Sequence, residues 1–255
     1  MSGARGTVVV GVDCAIEEER TGIACGRIAE DGTLEVTRVT LGTAGESATA
    51  TIAGFIDRAD RYVVALDAPL GWPMGLGPTL STHRAGERVA APADRVFRRE
   101  TERFVHHELG KTPHEVGADR IARTAHAALE LLEAVRKRSK KPLPLGERPG
   151  AESCAIEVLP QATLLSRGIT ASGYKGMAMS SRNARAKILE RLEHEITLGV
   201  HRAVLIENPD LLDALLCALA AADFAAGEAL TPTNRELAAK EGWIWFRGRG
   251  QKTLF

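Results

Sequence analysis

Asp13, Asp67, Glu157 and Asp213 are the residues of this 255-residue chain whose types and surroundings could do chemistry. Three of them close strand-like apolar runs: VVVGVD (8–13), RYVVALD (61–67) and SCAIE (153–157). Side chains alternate along a strand, so Gly11 shares a face with Asp13, Ala65 with Asp67 and Ala155 with Glu157. A very small residue two positions before each acid leaves ground where another backbone could approach closely. The segment NPDLLDALLCALAAADFAAG (208–227) reads as a helix able to do so. At about 100° per residue, Leu211, Leu212, Leu215, Leu216 and Leu219 gather on one side. Asp210, Asp213, Ala214, Cys217 and Ala221 gather on the other. That small-residue face can lie close on a sheet and bring Asp213 among the strand acids, with Asp210 one turn earlier as a further metal candidate. A first helical turn also favours a carboxylate at Asp210 without any ligand.

Carboxylates so assembled need a cation. Two of them about 4 Å apart repel by roughly 4 kcal/mol at an effective dielectric near 20. Divalent ions relieve this, and an all-oxygen ligand set suits Mg²⁺ or Mn²⁺ rather than Zn²⁺. Two such ions can clamp a phosphodiester during in-line displacement. The expectation is that Asp13 bridges both ions, Asp67 and Asp213 each hold one, and Glu157 ligates or orients the water. Phosphate-binding candidates are Lys175 in GYKG, the basic run containing Arg136 and Arg138, and the tail RGRGQK (247–252). A basic helix C-terminus also accounts for Arg136 and Arg138. Glycines 71, 75 and 77 miss the nucleotide-loop spacings, and neither H-E-x-x-H nor G-x-S-x-G occurs.

The elements that must position these residues can be read from periodicity. Strands are expected at 7–13, 21–28 and 34–41, with the turn signal EDG (30–32) joining the last two. A helix over 46–58 and a strand over 61–69 follow. From 69 to 118 the pattern dissolves into a loop-rich insertion that opens with APLGWPMGLGP. Helices at 119–138 and 184–198, strands at 153–160 and 201–207, and the helix at 208–227 complete the chain. Asn208 is its N-cap, Pro209 its first helical residue and Gly227 lies past its end. The order predicts one α/β domain with a mixed sheet, three antiparallel strands and then parallel ones, flanked by helices.

Composition narrows the function classes. The 33 basic and 33 acidic residues cancel, so no whole-molecule field draws the chain to nucleic acid. Aromatics at 4% argue against a stacking platform for single strands. The four cysteines form no C-x-x-C pair, which fits neither a zinc framework nor a secreted disulfide scaffold. No signal-like or membrane-spanning run is present, so the expectation is a cytoplasmic enzyme or binding protein.

The ordered motifs GVD, ALDAPLGWP, RRETERF, IEVLPQATL, YKG, DLLDALLCAL and EGWIW, spanning roughly 8–246, resemble the domain of unknown function 429 family. That family is regarded as a predicted ribonuclease-H-like nuclease. The resemblance implies a ribonuclease-H-like fold with matching acids at Asp13, Asp67, Glu157 and Asp213. The DxxDA stretch, Asp210 to Ala214, also resembles the end of Holliday-junction resolvases of that superfamily. One departure is Glu102, where an Asp is expected in an RxTD-like segment, so Arg99 and Glu102 take a supporting, substrate-side place. The leading expectation is a metal-dependent phosphodiesterase acting on DNA or RNA. A sugar-kinase-like or actin-like ATPase shares this sheet order, although Glu17, Glu18 and Glu19 after the first Asp would repel a triphosphate. A non-catalytic binding module on the same scaffold is the third reading.

Overall fold

The computed structural model describes residues 6–42, 46–118, 120–150 and 153–250. The β-branched run Val8–Asp13 forms β1, Gly22–Ile28 forms β2 and Leu34–Leu41 forms β3, joined as an antiparallel meander. Helix α1 (Ala48–Asp57), capped by the Ser47 hydroxyl, leads into β4 (Tyr62–Asp67), which returns parallel to β1. After β4 come three helices, α2 (Leu76–Leu80), α3 (Ala93–Phe97) and α4 (Glu100–Leu109). Helix α5 (Ile121–Arg138) crosses to β5 (Cys154–Glu157), which pairs parallel to β4. The remaining elements are α6 (Pro160–Ser166), α7 (Met179–Arg191), β6 (Ile196–Thr197), α8 (Arg202–Glu207), α9 (Pro209–Ala226) and α10 (Arg235–Glu241).

The sheet order is β5-β4-β1-β2-β3-β6, antiparallel across β1, β2 and β3 and parallel elsewhere. This is the ribonuclease-H-like mixed sheet, flanked by helices, that the sequence predicts. One face packs Val9, Ala65 and Ile156 against Leu212, Leu215 and Leu219 of α9. The other packs Val10, Val12 and Leu66 against Ile52 and Ile56 of α1 and Leu132 of α5. Each such side chain withdrawn from water contributes about 1.5–3 kcal/mol, so both faces hold the sheet. Among the described residues, no helix is long and apolar enough to cross a membrane.

Three local expectations are corrected. HRAVLIE (201–207) is not a strand: its last six residues are α8, in which Leu205 is fully buried while Val204 is exposed. Short apolar runs do not distinguish strand from helix, and here packing against α9 decides. The predicted helix at 184–198 ends at Arg191, and Ile196 enters β6 beside Leu34. The 69–118 stretch holds α2, α3 and α4, and α10 has no counterpart in the sequence reading. Helices α2, α3 and α10 are only five to seven residues long, too short to show a period, and α4 turns the polar residues Thr101 and Glu102 inward, which hides its buried face.

Candidate metal centre

Asp13 and Asp67 occupy the last positions of β1 and β4 and are register partners across the parallel pair, so both leave on the same sheet face. Asp213 arrives from above on α9, just beyond its first turn. The approach depends on Gly11: a Cβ there would collide with the Ala214 carbonyl and the Ala218 amide of α9. Asn208 starts the helix by accepting from the backbone N–H of Asp210 (2.8 Å) and Leu211 (3.3 Å). One carboxylate oxygen each from Asp13, Asp67 and Asp213 then lies within 4.8 Å of the other two, a spacing that can hold a metal ion.

The electrostatics follow from burying three carboxylates side by side. Burial, with the charges of Asp67 and Asp213, raises Asp13 well above the ordinary carboxylate range. Asp67 is pushed up to about 7, mainly by burial, with Lys175 opposing and Asp213 and Glu157 reinforcing. Burial also raises Asp213, against the pull of Lys175 and Tyr174. The Tyr174 hydroxyl donates to Asp213 Oδ1 (2.7 Å), and Lys175 Nζ lies 2.6 Å from Asp213 Oδ2. No hydrogen bond from the described residues reaches the carboxylates of Asp13 or Asp67. A hard divalent cation fits this donor set.

Glu157 is not brought into the triad. In the β4–β5 register it pairs with Leu66 rather than Asp67, so its side chain leaves on the opposite face. Ala155 shares that face with Glu157, as expected, but packs with the α1 and α5 side and not beneath α9, which corrects the expectation that this face meets the helix. Arg99 takes the Glu157 carboxylate bidentately, at 2.6 and 2.9 Å, and the Leu70 backbone N–H donates to it at 2.9 Å. Arg99 also donates through Nε to Glu102 (2.6 Å) and through Nη1 to the Glu241 carbonyl (2.8 Å). Glu102 closes back onto the Arg99 backbone N–H at 2.5 Å. All three guanidinium nitrogens are thus committed. Gly242, at φ +82°, lies so close to the pair that a Cβ there would touch Glu157 Oε2 and Arg99 Nη1.

The other candidates are dispersed. Asp210 lies outside the close group, though its charge raises Asp13 and Asp213. Lys175 is at the site. Arg136 and Arg138 are at the far end of α5, whose first residue Ile121 lines the cavity, so Arg136 is roughly 22 Å away along the helix. Arg136 donates to the Leu143 carbonyl (2.8 Å). Residues 251 and 252 of the basic tail lie outside the described residues.

Asp13 and Asp67 open onto a cavity of about 320 Å³, also lined by Lys175, His114 and Gln161 and, on another wall, by Arg99, Glu102 and Glu157. Two residues at the site were not singled out in the sequence. Tyr174 is fully buried, and Arg185 holds its loop through the backbone carbonyls of Tyr174, Gly176 (2.8 Å) and Ile206 (2.5 Å). Tyr174 adjoins Lys175 in GYKG and could have been taken with it. Arg185 is one of many basic residues on a polar helix and carries no such signal.

Comparison with curated proteins and with solved structures returned no match. The family comparison agrees with the ordered motifs and the sheet: residues 11–237 match the model described as "Protein of unknown function (DUF429)", and the chain belongs to that family.

Proposed function

We propose that the protein is a divalent-metal-dependent phosphodiester hydrolase acting on nucleic acid, DNA or RNA. The observation that carries this reading is the triad of Asp13 and Asp67 at strand ends and Asp213 on α9, one oxygen of each within 4.8 Å of the others. Asp13 and Asp67, free of competing donors, would hold the cation, with Asp213 completing the acidic wall. Bound Mg²⁺ or Mn²⁺ would supply charge stabilisation at the phosphoryl oxygens and a more acidic attacking water. Lys175 places an ammonium at the same wall, where it can meet a phosphate oxygen. Glu157 and Arg99, in the lining of the same cavity, are bonded to each other and fix the loop after β4 through Leu70. The cavity's 320 Å³ suits one nucleotide unit with its phosphodiester. The free cysteines fit a reducing compartment such as the cytoplasm.

The test is a cleavage panel over single- and double-stranded DNA, RNA and hybrid, with Mn²⁺, Mg²⁺ or chelator, with Asp13→Asn as control. The expected result is metal-dependent cleavage of at least one substrate, reduced at least 100-fold in Asp13→Asn, with fold stability unchanged or raised. Cleavage by the variant at the wild-type rate would remove the triad from the mechanism.

A further inference from the structure

Lys175 can meet a phosphate oxygen, but in the fold its ammonium lies against Asp213. Its neighbours in the chain are anchored on both sides. Arg185, fully buried, binds the backbone carbonyls of Tyr174 and Gly176, and the Tyr174 hydroxyl is bonded to Asp213. The lysine therefore springs from a fixed point, and its Nζ meets Asp213 Oδ2 at 2.6 Å while lying 5.9 Å from the Tyr174 ring centroid.

Both Asp213 oxygens are consequently engaged within the protein, one by Tyr174 and one by Lys175. Asp13 and Asp67 have no such partners among the described residues. Three carboxylates and one ammonium carry a formal charge of −2, which a single divalent ion balances. A second ion on the Asp213 side would have to share that position with a cation already tethered there. At about 4 Å, two like charges repel strongly at any dielectric found inside a protein.

We propose that Lys175 is a built-in counter-ion that takes the place of a second metal, so that this site binds one divalent cation, on Asp13 and Asp67. This rests on the metal-site reading above, but it concerns ion number and not cleavage. The experiment is calorimetric titration of the full chain with Mn²⁺ near pH 7.5, supported by counting bound Mn²⁺ by electron paramagnetic resonance. One ion per chain is expected for wild type and for Lys175→Arg, and two for Lys175→Met, whose side chain is of similar length and uncharged. Two ions on wild type would overturn the proposal even if cleavage is metal-dependent. One ion on Lys175→Met, with circular dichroism showing it folded, would also overturn it. If Lys175→Met does not fold, the wild-type count and the Lys175→Arg count decide. No binding at all would overturn both this and the metal-dependent reading. One ion on wild type and two on Lys175→Met, with no cleavage of any substrate, would uphold the counter-ion and remove only the hydrolase.

Discussion

Asp67 shows at the scale of one residue what the fold imposes on its acids. Its carboxyl is pushed up to about 7 from an ordinary 3.8, chiefly because burial disfavours the ion. The folded chain therefore keeps this proton to higher pH than the unfolded chain. In that window the native state binds more protons, so its stability falls as pH rises from about 4 to about 7. Asp67→Asn removes the penalty. In chelator, its stability advantage over wild type should grow across that window by on the order of 2–4 kcal/mol, as read by urea unfolding at stepped pH. A constant difference would show that Asp67 ionises in the fold as easily as in water. The same shift means that metal must displace protons, so Mn²⁺ should stabilise the protein more at pH 8 than at pH 5.

At the scale of elements, α9 decides whether a site exists. It is buried from Leu211 to Ala225, and the backbone of its small residues Ala214 and Ala218 lies directly over β1. Gly11 beneath it is the reason β1 and α9 can lie that close. Gly11→Ala should cost about 3 kcal/mol of stability, at the upper end of overpacking penalties, because backbone and not a flexible side chain is in the way. It should also weaken Mn²⁺ binding by shifting the end of β1 and with it Asp13, two residues on. Differential scanning calorimetry and metal titration check both, and an unperturbed variant would place the helix further from the strand. The sequence exposes this arrangement well: the small residue before each acid and the small face of the helix are both visible in it.

Across the whole molecule, the stretch after β4 and the C-terminal segment are tied to the sheet by buried charge. Arg99 at the start of α4 joins Glu102, Glu157 of β5 and the Glu241 carbonyl at the end of α10. The Glu241 carboxylate in turn accepts from the backbone N–H groups of Met74 (2.7 Å) and Glu100 (2.9 Å). Ile244 donates to the Thr101 hydroxyl at 2.8 Å. Removing the one cation strands two buried carboxylates, so Arg99→Met should cost about 3–5 kcal/mol, with part recovered by adding Glu157→Gln. Urea unfolding of the single and double variants measures this. A loss under about 1 kcal/mol would mean that water reaches the network.

The amino-acid sequence by itself determined the strand meander, the long buried helix with its Asn208–Pro209 start, and the places of Asp13 and Asp67 at strand ends and of Asp213 on that helix, though not which of the four expected acids meet. Each follows from a local rule, whether alternation, helical period or capping, and a local rule needs no knowledge of neighbours. The role of Glu157 was decided only by tertiary structure. Its strand was read correctly, but a pairing register cannot be seen in one strand, and a one-residue offset sends the side chain to the other face. The same holds for HRAVLIE, where packing on α9 selected a helix, and for Arg185, which acts through carbonyls that sequence does not distinguish. Lys175 was legible as a charge near glycines. That its ammonium reaches Asp213 while the stem stays half exposed is a property of the folded loop, because only the fold closes the distance between residues 175 and 213.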